Sequence, residues 1–129
     1  MDIERIHKAL TGGETARVEF KSCRDKISNS VYETVCSFSN HSGGLIILGF
    51  DDDMNLIGVN KNASVNLKKN IINTLGNKEV FFPKLTIEPE IEEYDGKTII
   101  VIDVPVSQYP VRYKNKYFDR VGDADMDIT

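Results

Sequence analysis

Apolar residues recur along this chain with two different periods, and the switches between them set out an order of elements. Ile3, Ile6 and Leu10 fall at helical spacing and predict a short helix over residues 2–10, stopped by Thr11-Gly12-Gly13. Residues 17–21 alternate instead. Val18 and Phe20 point one way, and Arg17, Glu19 and Lys21 point the other, which predicts a half-buried strand with one charged face. Ile27, Val31, Val35 and Phe38 then form one apolar stripe and predict the main helix over residues 25–40, ended by Asn40-His41-Ser42-Gly43-Gly44. Residues 45–50 are continuously apolar, as in a central strand covered on both faces. The turn Asp51-Asp52-Asp53 leads to a return strand over residues 55–59.

Leu67, Ile71 and Leu75 share one face of a third helix over residues 62–75. Asp95-Gly96 separates two strand-like runs, 85–94 and 97–104, and an Asp-Gly pair in that position predicts a two-residue hairpin with positive φ at both central residues. Residues 111–113 and 116–118 predict a last small hairpin, followed by the acidic end Asp123-Ala124-Asp125-Met126-Asp127. The order is α-β-α-ββ-α-ββ-ββ. Hairpins outnumber crossovers, so the expected class is α+β: a mixed, largely antiparallel sheet with about three helices packed on it, in a single domain over residues 1–129.

With 129 residues, 40% hydrophobic and 28% charged, the chain can bury one core without disulfide or metal staples. No apolar run approaches the roughly 20 residues of a membrane span, and Met1-Asp2-Ile3-Glu4 has neither the basic nor the apolar region of a signal peptide, so no membrane partner and a cytoplasmic location are expected. In that compartment Cys23 and Cys36 are read as reduced thiols. The net charge of −4 argues against a chain that grips nucleic acid by bulk electrostatics, but it leaves room for a local basic face. Phosphate loop, dinucleotide fingerprint and nucleophile elbow are all missing, and His7 and His41 are not at metal-ligand spacing.

Three segments stand out: Gly13-Glu14-Thr15-Ala16-Arg17-Val18-Glu19-Phe20-Lys21; Cys36 through Asp52, with Phe38-Ser39-Asn40, Gly43-Gly44 and Gly49-Phe50-Asp51-Asp52; and Tyr117-Phe118-Asp119-Arg120-Val121-Gly122. In this order and spacing they resemble the Schlafen/AlbA-type domain, over roughly residues 14–122. The resemblance implies a DNA-binding module, usually the N-terminal domain of a larger regulator-like protein, and so an excised domain or an unusually short member. It also implies an alternative. In animal Schlafen proteins a related fold, present in two copies, cleaves structured RNA with three carboxylates and a divalent metal. Glu14, Glu19 and Asp52 match those positions, with Asp51 as a one-residue substitute, and Mg²⁺ or Mn²⁺ would be the ion, since both prefer oxygen ligands.

The leading expectation is nucleic-acid binding, DNA before RNA. A groove would be lined by Arg17, Lys21, Arg24 and Lys26 from the first strand and its loop, and by Arg112, Lys114, Lys116 and Arg120 from the last hairpin. Tyr113 and Tyr117 interleave that second cluster as surfaces on which bases stack. A protein-interaction or oligomerisation module, as in a homodimer, is the third class. The carboxylates Glu14, Glu19 and Asp52 are expected to converge on one rim of the sheet, with Glu19 reaching a cleft or solvent.

Overall fold

Alternation along two central strands divides the apolar residues between two cores. The computed structural model describes residues 3–129, so Asp2, the first residue of the expected opening helix, lies outside the described residues. Helix α1 (Ile3–Gly12) is followed by β1 (Val18–Lys21), α2 (Asn29–Asn40) and β2 (Gly44–Leu48). A 3-10 turn at Lys61–Ala63 opens α3 (Ser64–Leu75). Then come β3 (Phe81–Phe82), β4 (Glu90–Tyr94), β5 (Lys97–Val104), β6 (Arg112–Tyr113), β7 (Lys116–Val121) and β8 (Ala124–Asp127).

The first sheet has the order β1-β2-β5-β4, with β1 parallel to β2 and the other pairs antiparallel. Leu45 and Ile47 of β2, Ile99 and Val101 of β5 and Phe20 of β1 face one way, onto Ile6 of α1. Ile46, Leu48, Ile100 and Ile102 face the other way, onto α2 and α3. A second antiparallel sheet, β3-β6-β7-β8, closes over α2 from its far side. Helix α2 is therefore buried almost all round, including Thr34, Ser37 and Ser39. The class is α+β, as expected, but the strands form two sheets. Among the described residues no helix is long and apolar enough to cross a membrane.

Several boundaries differ from the sequence pattern. Helix α2 starts at Asn29, because residues 24–28 form a loop in which Asn60 donates to the Asp25 carboxylate (2.7 Å) and to the Arg24 carbonyl (2.9 Å). Ile27 nevertheless packs on the core from that loop. The expected return strand over 55–59 is reduced to one bridge, Phe50↔Leu56. There Gly49 and Gly58 approach so closely that a Cβ on Gly49 would lie 3.3 Å from the Gly58 Cα. The Asp95-Gly96 hairpin holds, with φ of 48° and 77°. Lys114-Asn115 makes a second such turn between β6 and β7, with φ of 48° and 66°. The acidic end is not a tail: Ala124–Asp127 pairs with β7 as β8.

Candidate functional site

The end of α2 ties the two sheets together. Asn40 donates through Nδ2 to the carbonyls of Val111 (2.7 Å) and Phe118 (2.8 Å), and its Oδ1 accepts from the Val111 N–H (2.7 Å). One amide thus satisfies three backbone groups around the second sheet, which explains an asparagine at the helix terminus. Gly43 and Gly44 follow because nothing larger fits: a Cβ would lie 2.7 Å from the Val104 carbonyl at Gly43, where φ is +76°, and 2.5 Å from the Phe38 ring at Gly44.

Beside this junction lies a buried charge cluster. The Arg120 side chain is fully buried, 2.8 Å from the Asp125 carboxylate and 3.5 Å from that of Glu19. It also donates to the Thr15 carbonyl (3.0 Å) and lies over the Phe38 ring (4.8 Å). Thr34 of α2 donates to the other Asp125 oxygen at 2.6 Å. Lys21 reaches Glu19 at 3.6 Å. Two expectations are corrected here. Glu19 opens to neither solvent nor a cleft, because β7 brings Arg120 against it, held in turn by Asp125 of β8, and its side chain is only 7% exposed. Arg120 has no free face for a phosphate; it is an internal cross-link.

Burial pushes the Glu19 carboxyl from 4.5 up to about 7. A hydrogen bond with the Glu14 carboxyl adds to the rise, against the opposing charges of Lys21 and Arg120. Because the folded-state value lies above the unfolded one, the folded chain holds this proton more tightly. The resulting stabilisation is complete below about pH 4.5, declines as pH rises and is gone above about pH 7. Thermal melts across that window are expected to show wild type losing stability relative to Glu19→Gln. Parallel curves for the two proteins would contradict this assignment.

Glu14 does meet Glu19: the Thr15↔Val18 bridge folds the chain back on β1. Asp52 does not join them. Since β1 and β2 run parallel, residues past Leu48 leave at the Lys21 end of the sheet, and Asp52 sits exposed in the turn there. Asp51 is engaged in shaping that turn, accepting from the backbone of Asp53 (2.9 Å) and Asn55 (2.8 Å). Among the described residues no group of three His, Cys, Asp or Glu side chains is placed to hold a metal ion. The expected Mg²⁺ or Mn²⁺ triad is therefore not assembled, and its best-placed member, Glu19, already has cationic partners.

The remaining basic residues lie at the surface. Arg17, Arg24, Lys26, Lys114 and Lys116 are exposed, while Lys21 and Arg112 are half-buried. Lys114 donates to the Asn29 side chain at 3.1 Å, and Tyr113 donates to the same oxygen at 2.9 Å. This sets the β6–β7 turn against the start of α2, next to the loop carrying Arg24 and Lys26. Tyr113 itself is buried, so it offers no stacking surface, contrary to expectation. The acidic residues Glu90, Glu92 and Glu93 lie on β4, at the opposite edge of the first sheet from Lys21 on β1 and Arg17 just before it. The separation is partial: Lys61 lies 3.8 Å from Glu93 at the β4 edge, and Asp127 lies 3.9 Å from Lys116 beside the basic turn. Both cysteines are free and buried, and burial pushes each thiol up to about 11.

Residues 14–129 match the family described as Schlafen, AlbA_2. The chain belongs to this family. The match begins after α1, so that helix lies outside the part that defines the Schlafen, AlbA_2 domain. Two solved structures share the fold. One is the DIP2311 protein from Corynebacterium diphtheriae, with a TM-score of 0.70, 16% identity and 98% of this chain covered. This chain spans 29% of that protein's length. The other is the N-terminal domain of a protein from Nitrosomonas europaea, named as related to the ATP-dependent DNA helicase RecG. It has a TM-score of 0.68 and 24% identity, covering 95% of this chain and 90% of that one. No curated protein matches the chain.

Proposed function

We propose that this Schlafen, AlbA_2 chain is a nucleic-acid-binding module, for DNA before RNA, of a regulator-like protein. The observation that carries the reading is the Lys114–Asn29 contact of 3.1 Å, through which two basic clusters distant in sequence adjoin. Arg24 and Lys26 on one side and Lys114 and Lys116 on the other present exposed cations, and Arg17 and Lys21 extend them at the two ends of β1. Such a band neutralises phosphates without reading sequence. Arg120 supports it from within by locking β7 to β1. The family membership and the DNA-helicase-related name of one structural relative agree with this reading.

The test is removal of single charges. Lys26→Ala and Lys114→Ala are each expected to weaken binding about fivefold near physiological salt, alike for every sequence, and to reduce the salt slope by about 1. Fluorescence anisotropy with labelled oligonucleotides reads both effects. Variants that bind like wild type would refute the phosphate contact.

A further inference from the structure

The outward face of the second sheet carries a row that the basic clusters do not account for. Phe82 pairs with Arg112, and Arg112 pairs with Tyr117, so the three are direct neighbours across β3, β6 and β7 and share one face. Their neighbours Phe81, Tyr113 and Phe118 all turn inward to the core. Phe82 is 52% exposed although it is a large apolar side chain in a strand. The Arg112 guanidinium lies over its ring at 5.0 Å, holding the ring in place, and Tyr117 is half-buried on the other side. A lone exposed phenylalanine is unremarkable. An aromatic–guanidinium–aromatic row on the outward sheet face, next to the Lys114 turn, is a surface on which planar rings stack.

We infer that this row binds unpaired bases, so that the ligand of the module includes single-stranded nucleotides. The inference rests on the phosphate-binding reading above and adds the base contact to it. A duplex keeps its base faces stacked inside, so it can use the lysines but not Phe82 and Tyr117. A single strand whose phosphates pass the β6–β7 turn can place its bases on the row. Stacking needs no hydrogen-bond readout and tolerates any sequence.

The chain contains no tryptophan, so Phe82→Trp introduces the only indole and makes the row directly observable. Titration of that variant with a single-stranded oligonucleotide is expected to quench its emission saturably, whereas the matching duplex leaves it unchanged. Phe82→Leu and Tyr117→Leu are each expected to weaken single-strand binding about 5- to 150-fold, the range for loss of one base–aromatic stack, with duplex affinity held. Lys114→Ala serves as the control and weakens both forms. Equal losses on both forms for the leucine variants, or no loss while Lys114→Ala still weakens binding, would overturn the base contact and leave the phosphate grip standing. Lys114→Ala without effect on either form would overturn the phosphate grip, and with it the inference.

Discussion

Arg120→Ala is expected to destabilise the fold by about 3–5 kcal/mol, the cost of stripping one partner from a buried ion cluster. The guanidinium is fully buried and serves β8 through Asp125, β1 through Glu19 and the preceding loop through the Thr15 carbonyl. Its removal leaves the Asp125 carboxylate, only 13% exposed, without its cation, and it empties the space over the Phe38 ring. For a chain of 129 residues the loss corresponds to a fall in Tm of roughly 10–20 °C, read by calorimetry or circular dichroism. Arg120→Lys is expected to recover little, because one ammonium cannot replace a planar fork that spans three acceptors. Asp125→Asn combined with Arg120→Met is expected to recover more, since it removes both charges together. A Tm for Arg120→Ala within a few degrees of wild type would show that the cluster is not the cross-link described.

The second large effect belongs to Asn40. Asn40→Ala leaves the Val111 N–H and the Phe118 carbonyl without this partner, and leaves the Val111 carbonyl only the Cys36 thiol, which donates to it at 3.2 Å. At about 1–3 kcal/mol for each polar group left buried and unpaired, relieved in part by water, the expected loss is about 3 kcal/mol. Asn40→Asp separates the contributions. A carboxylate still accepts from the Val111 N–H, but it cannot donate to the two carbonyls and repels both. Asn40→Asp is therefore expected to be at least as harmful as Asn40→Ala at neutral pH and to recover on acidification, when the protonated acid can donate to one carbonyl. A Tm for Asn40→Asp equal to that of wild type at pH 7 would contradict the clamp.

The pattern of apolar positions carried the reading furthest where local chemistry decides the structure. The alternation in β1 and the apolar run of β2 marked both strands, and the Asp95-Gly96 pair marked its turn because positive φ at two successive positions admits few residue types. The second sheet was only partly legible. Two residues, Phe81 and Phe82, are too few to show a period, and Ala124–Asp127 looks like a solvated acidic end until β7 supplies its partner. The site was misread for the same reason. Alternation put Glu19 on a charged face of β1, but it could not show that β7 would bring Arg120, paired with Asp125 of β8, against that face. The carboxylate triad failed on direction: a residue beyond the end of β2 is carried away from Glu19 by the parallel pairing of β1 with β2. The basic residues of the loop and of the last turn were recognisable in the sequence, whereas their meeting through Asn29 was not. Nor was Phe82, whose neighbours Arg112 and Tyr117 appear only in the register of β3, β6 and β7.

The measurement that tests the central claim most directly is the salt dependence of nucleic-acid affinity for the unmodified chain. Four to six phosphate contacts predict a fall of about 10²- to 10³-fold in duplex affinity between roughly 50 and 200 mM monovalent salt, with a shallower slope for a single strand. An affinity that stays constant across that range, on duplex and single strand alike, would contradict the account.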